Sequence, residues 1–124
     1  MKIFEIVDYI TESDYNSVVI VEQQDNWTVT QTSAYKKGLK KYKKNPKVMK
    51  ALEKLLNFIE QHDDVPNLDS YPPEMNIHFL KQHPNYERPL WGHLLGTKIG
   101  IVFSVYPGEL HLQCLGTHPD CRVG

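Results

Sequence analysis

The spacing of hydrophobic residues predicts a strand and then a helix in the second quarter of the chain. Residues 27–32 alternate apolar and polar side chains, which is typical of a half-buried strand. Ser33 follows and can cap a helix by accepting a hydrogen bond from a free backbone N–H group. The next apolar residues recur at i, i+4 and i+7, which puts them on one helical face: Tyr35, Leu39 and Tyr42.

A second helix is predicted directly after the first. Asn45 is a good helix N-cap, and Pro46 suits the first helical position because its missing N–H would have no partner there. Apolar residues at helical spacing continue the pattern to about Gln61: Val48, Leu52, Leu55 and Ile59. Because the joint between the helices is short, the two together predict an αα-hairpin.

The remainder of the chain has the pattern of strands. A loop rich in proline and aspartate occupies residues 62–73. Four candidate strands follow it, at residues 76–81, 89–95, 99–106 and 109–117. Pro107-Gly108 predicts a tight turn, so the last two strands should form a hairpin.

The segment before residue 27 is predicted to be a separate, β-containing extension. Residues 2–7 and 17–22 are β-branched and predict short strands on either side of a polar segment. We therefore divide the chain into an N-terminal extension at residues 1–26, with strands packed on the same domain, and a main α+β domain at residues 27–124.

Composition narrows the class of protein further. A length of 124 residues suits one domain. The longest apolar stretch, near residues 99–106, is far too short to span a bilayer, and the first residues lack the apolar core of a secretion signal. Cys114 and Cys121 are too few for a disulfide framework, so we expect reduced cysteines in a cytoplasmic protein.

Charge is distributed unevenly, although the net charge is only −1. Residues 1–25 are acidic, and residues 35–54 carry nine lysines against Glu53 alone. Such a run is either a solvated helix face or a surface for RNA or an acidic partner. The acidic extension could also fold against the lysines within the chain. The candidate RNA-binding lysines lie in or just after the first helix: Lys36, Lys37, Lys40, Lys41 and Lys44.

Three local strings, at residues 34–39, 91–94 and 115–120, carry a resemblance over about residues 27–121 to a known family, the RelE/ParE toxin superfamily. Ala34-Tyr35-Lys36-Lys37-Gly38-Leu39 is similar to its lysine-rich first helix, and Trp91-Gly92-His93-Leu94 to a later strand that carries a histidine. Leu115-Gly116-Thr117-His118-Pro119-Asp120 resembles the end of the YafQ-type mRNA interferases and is the most specific string. The resemblance implies a two-helix hairpin packed on a twisted antiparallel sheet of about four strands.

The same resemblance implies an activity and a site. Members that cut RNA act on mRNA at the ribosome, use no metal or other cofactor, and are paired with an antitoxin protein in type II toxin–antitoxin systems. By position, His118 corresponds to the C-terminal catalytic histidine, and His93 and His78 to the two upstream histidines. Histidine suits proton transfer because it exchanges a proton near neutral pH. The nearby candidates for phosphate contact are Lys81, Lys98 and Arg122.

Two departures from the toxin pattern keep other functions open. Gly96-Thr97-Lys98 stands where the toxins often have an acidic residue, and Cys121-Arg122 stands where they have an aromatic residue that can stack on a base. The alternatives are a non-catalytic protein of the same fold that binds a protein target or acts as a regulator, and an accessory protein whose histidines are incidental.

Histidine and cysteine also occur at zinc-like spacing near the C-terminus, but we expect no metal site. His111 and Cys114 are three residues apart on a predicted strand and should point to opposite faces. We therefore predict that Cys114 is a small, buried hydrophobic residue. We expect structural or surface roles for the histidines outside the toxin strings: His62, His83 and His111.

Overall fold

The computed structural model describes residues 18–24, 27–94 and 97–123, and for residues 18–24 it describes the backbone. The strand predicted at residues 2–7 lies outside this range. The elements, in chain order, are β1 (Val18–Gln24), β2 (Trp27–Thr32), α1 (Ser33–Tyr42), α2 (Pro46–Glu60), β3 (His78–Phe79), β4 (Leu90–His93), β5 (Gly100–Tyr106) and β6 (Glu109–Gly116). The predicted α+β class and the two-helix hairpin are confirmed.

All six strands form one sheet, in the order β1-β2-β6-β5-β4-β3. The pair β2 and β6 is parallel, whereas the other pairs are antiparallel. The predicted two-helix hairpin on a sheet is confirmed, but the sheet has six described strands where about four were predicted, and one of its pairs is parallel. After β2 the chain crosses over through both helices and re-enters the sheet at its far edge with β3. It then returns strand by strand until β6 lies beside β2 and runs in the same direction.

Each helix begins at a side-chain cap. Asn45 Oδ1 accepts hydrogen bonds from the backbone N–H groups of Lys47 and Val48, as predicted from the sequence. For α1 the cap is Thr32 and not Ser33: Thr32 Oγ1 accepts from the N–H of Tyr35 at 3.1 Å. The difference arises because Thr32 is still extended, so its hydroxyl faces the open N–H groups of the first turn.

The main core lies between the helices and one face of the sheet. The helices contribute, among others, Tyr35, Leu39, Leu52, Leu55 and Ile59, and the strands contribute Val29, Ile101, Phe103, Leu110, Leu112 and Leu115. Trp27 closes one end, where its indole N–H donates to the carbonyl of His62 at 2.7 Å. Neither of the helices described between Ser33 and Glu60 is long and apolar enough to cross a membrane.

Candidate active site

The site predicted from the sequence lies on the sheet face opposite the main core. Side chains alternate along β4, so Trp91 and His93 share one face while Leu90 and Gly92 point to the helices. His78 on the edge strand β3 pairs directly with Trp91 and therefore lies on the same face. The short β3 and β4 strands thus bring two of the three predicted histidines next to one tryptophan.

His118 reaches the same tryptophan from the C-terminal turn. Its ring centroid lies 4.8 Å from that of Trp91, with the planes tilted by 59°. His118 and His78 are exposed and His93 is half-buried, whereas Trp91 is buried. The His118 ring therefore lies against the indole, and His93 and His78 lie on the same face of the sheet at neighbouring strand positions.

One of the upstream histidines has a defined tautomer. Nδ1 of His78 lies 2.6 Å from the carbonyl oxygen of Asn76, and only a protonated Nδ1 can donate to that oxygen. In the neutral ring Nε2 is then unprotonated and can accept a proton.

The turn that carries His118 is held by reciprocal hydrogen bonds. The backbone N–H of Thr117 donates to Asp120 Oδ2 at 3.2 Å, and the N–H of Asp120 donates to Thr117 Oγ1 at 3.3 Å. The N–H groups of Cys121 and Val123 donate to the carbonyls of Thr117 and His118. The hydrogen bonds from Thr117, together with the nearby charge of Lys41, lower the pKa of Asp120. The Thr-x-x-Asp spacing of such a capping box is visible in the sequence.

Two glycines allow the chain to pack closely around the tryptophan and the turn. Gly100 lies across from His93 on one side and from Gly116 on the other. A Cβ atom on Gly100 would lie 2.1 Å from Cζ2 of Trp91, and one on Gly116 would lie 2.8 Å from Cβ of Asp120. Both positions therefore require a residue without a side chain.

Gly100→Ala is expected to displace the Trp91 ring and to lower the free energy of unfolding by about 1–3 kcal/mol, as for other overpacked cores. The measurements are urea unfolding and the NMR signal of the Trp91 indole N–H. Gly92→Ala is the matched control, because its new methyl group would meet the flexible end of Ile77 on the other face. An unshifted Trp91 signal in Gly100→Ala would contradict the proposed packing.

The side chains predicted to contact phosphate all lie at the protein surface. Lys81, Lys98 and Arg122 are exposed. Arg122, which has a positive φ of 55°, lines a cavity of about 200 Å³ together with His83, Tyr86 and Asp120.

The candidate RNA-binding lysines in and just after α1 are exposed, except for Lys36. Lys37 and Lys41 line a second cavity, of about 290 Å³, between α1 and the Asp120 turn. Lys40 and Lys44 are exposed. Lys36 is only 2% exposed, so the prediction that it contacts RNA was wrong. Its position on α1 turns it toward the protein, and a lysine-rich string does not reveal which lysine that is.

The cysteines also differ from the prediction. Cys114 and Cys121 form a disulfide, with Cα atoms 5.7 Å apart, so neither cysteine of the chain is free. Cys114 is buried as expected, in a cluster with Leu80, Trp91 and Val102. The pairing was missed because the turn after β6 folds back over the strand, and no local pattern predicts that reversal.

The remaining histidines have protein partners. His83 Nε2 donates to the carbonyl of Cys121 at 2.7 Å, and its Nδ1 accepts from the N–H of Asn85. His62 Nδ1 lies 2.7 Å from the carbonyl of Phe58, and His111 lies 3.1 Å from the carboxylate of Glu109. Within residues 27–94 and 97–123, no three His, Cys, Asp or Glu side chains are grouped so that they could hold a metal ion.

The chain is a two-helix hairpin on a mixed sheet, with histidines at one edge and on the C-terminal turn. No family model and no curated protein matches the chain. Among solved structures, a chain of the E. coli DinJ–YafQ toxin–antitoxin complex matches with a TM-score of 0.59 and 18% identity, covering 76% of this chain and 94% of that chain. A second structure of this complex gives 0.58 and 17%, covering 75% and 94%. The predicted resemblance to the YafQ-type fold is therefore confirmed.

Proposed function

We propose that this protein is the toxin of a type II toxin–antitoxin pair and cleaves mRNA on the ribosome. The observation that carries the proposal is the packing of the His118 ring against Trp91, on the face of the sheet that also carries His93 and His78. The YafQ-like fold supports it, because the matching chains come from toxin–antitoxin complexes. An activity on ribosomes also requires that the protein works in the cytoplasm.

The proposed chemistry is attack of a ribose 2′-OH on the adjacent phosphate. One group must take the 2′-OH proton, a second must protonate the departing 5′ oxygen, and cations must stabilise the added negative charge on phosphorus. We assign proton transfer to His118, assisted by His93 and His78. His118 and His78 are exposed, so that an RNA strand bound at this face would reach them. The histidines and cations together provide these functions without a metal or other cofactor.

The exposed cations would bind the phosphate backbone. Lys81, Lys98 and Arg122 are assigned to the strand being cut. Lys37, Lys40, Lys41 and Lys44 are assigned to ribosomal RNA or to an acidic segment of the antitoxin, which would cover the same surface. Binding through such lysines should weaken steeply as the salt concentration rises, because each neutralised phosphate releases counterions.

The test is a translation reaction with purified full-length protein. We expect protein synthesis to stop and new mRNA 5′ ends to appear inside the coding region, and only when ribosomes are present. Heat-inactivated protein is the control for contaminating nucleases. Intact mRNA and normal translation at an excess of protein over ribosomes would rule out the proposed function.

A non-catalytic protein of the same fold is the second candidate. It is favoured by the residues that depart from the toxin pattern, since Cys121 is bonded to Cys114 on β6 and Arg122 stands in place of an aromatic residue. Such a protein would act by binding a protein target. It would inhibit growth without cutting mRNA, and the loss of a proton-transfer group would leave that inhibition unchanged.

A further inference from the structure

We propose that the Cys114–Cys121 disulfide is a reversible redox modification site that controls the position of His118. The proposal rests on the proposed function, because it assigns a regulatory role to the same site. It concerns a pair of residues that the cleavage chemistry does not use.

The disulfide closes a short ring around the catalytic turn. Cys114 lies on β6 and Cys121 on the turn that follows, so the bond joins the two ends of the segment that contains Thr117, His118 and Asp120. His118 therefore lies inside the loop that the bond closes.

Besides the disulfide, the turn is held to the sheet by the packing of Cys121 and Val123 in the buried cluster around Trp91. The reciprocal hydrogen bonds between Thr117 and Asp120 lie within the turn and are exposed. The bond from His83 to the carbonyl of Cys121 comes from a neighbouring loop. The turn follows β6 directly along the chain, and the disulfide adds a second covalent link back to that strand, so breaking it removes one restraint on the turn.

Both cysteines line cavities at the protein surface. Cys114 and Cys121 are 7% and 2% exposed, but both line the cavity of about 200 Å³ that also contains Arg122 and His83. Cys114 additionally borders the cavity lined by Lys37 and Lys41. Nearby cations favour the thiolate form of cysteine, which speeds exchange by making a better leaving group.

The reaction is ordinary exchange with a dithiol reductant. A thiolate of the dithiol attacks one sulfur of the disulfide, the bond between Cys114 and Cys121 breaks, and a mixed disulfide forms. The second thiol of the reductant then displaces the protein sulfur. Two electrons and two protons pass to the protein, which gains two thiols, while the reductant becomes a disulfide.

Reduction should lower the activity. In the oxidised protein the turn holds His118 on Trp91, whereas in the reduced protein the longer free segment lets the histidine leave that position. Because dithiol proteins keep cytosolic thiols reduced, the proposal predicts a toxin that becomes more active under oxidising conditions.

The experiment compares oxidised wild-type protein with the same protein treated with dithiothreitol. Alkylation followed by mass spectrometry should count no thiols before treatment and two after it. We expect reduction to slow ribosome-dependent mRNA cleavage about tenfold, to shift the NMR signal of the Trp91 indole N–H, and to be reversed by reoxidation. The double variant Cys114→Ala/Cys121→Ala should cleave slowly and be insensitive to dithiothreitol.

The outcomes separate this proposal from the proposed function. Equal cleavage rates for the oxidised and reduced forms would overturn the redox control while leaving the nuclease in place. If neither form cuts mRNA, the proposed function fails. The Trp91 indole signal then tests separately whether the disulfide positions His118. An unchanged indole signal shows that the disulfide does not position His118, whereas a shifted signal shows that it does. Two alkylated thiols before treatment would also overturn the proposal.

Discussion

Replacement of His118 with alanine is expected to slow mRNA cleavage by at least about 100-fold, the lower end of what a general acid or base contributes. The ring is exposed and lies at the surface of Trp91, so its removal should leave the fold intact. The loss of one tilted ring contact costs only about 1 kcal/mol of stability. The measurement is the rate of appearance of mRNA 5′ ends in a translation reaction, with circular dichroism to confirm the fold.

His111→Ala is the matched control. His111 is a histidine of the same sheet, but its ring contacts Tyr106 and Glu109 near the β5–β6 turn, away from Trp91. We expect its cleavage rate to remain within about twofold of wild type, since a surface substitution usually changes stability by no more than about 0.5 kcal/mol. Equal rates in His118→Ala and wild type would refute His118 as the main proton-transfer residue. Growth inhibition that persists in His118→Ala without mRNA cleavage would favour the non-catalytic binder.

Much of the secondary structure could be predicted because its signals are local. The helix α2 begins at Asn45 and Pro46 as the capping pattern requires, and it ends at Glu60, one residue before the predicted end. The strand β2 has the predicted bounds. Strands β3 and β4 are shorter than predicted, with two and four residues.

The features that were missed depend on contacts between distant segments. The parallel pairing of β2 with β6 follows from the crossover through the helices, which no window of sequence contains. The disulfide depends on the reversal of the chain after Gly116. The burial of Lys36 depends on which face of α1 meets the sheet, and the neighbouring lysines give no signal to distinguish it.

The candidate site likewise combines residues that local sequence identifies with an arrangement that depends on contacts between distant segments. The three histidines could be chosen from their strings, because the resemblance supplied their order along the chain. Trp91, which lies on the same face of the sheet, is buried. Its place in the site arises from the pairing of β3 with β4 and from Gly100, whose missing side chain leaves room for the indole.

Gly38→Val is expected to have the largest effect on stability. Glycine inside an exposed helix costs about 1 kcal/mol relative to alanine, so on local grounds a substitution there should stabilise α1. Packing instead makes the substitution destabilising, because a Cβ atom on Gly38 would lie only 1.9 Å from the carbonyl oxygen of Leu115. That oxygen belongs to the backbone of β6 and cannot rotate away, so the helix must move. We expect a loss of about 3 kcal/mol or more, measured by urea unfolding.

The same displacement should reach the candidate active site, because α1 and the C-terminal turn share a boundary. Lys37 and Lys41 of α1 line a cavity with Asp120, and Leu115 is three residues before His118. Gly38→Val protein that remains folded at low temperature should therefore also cleave mRNA more slowly. Lys40→Ala, at an exposed position of α1, is the control and should change stability by less than about 0.5 kcal/mol. Wild-type stability in Gly38→Val would mean that α1 does not pack on β6 as closely as the backbone contact requires.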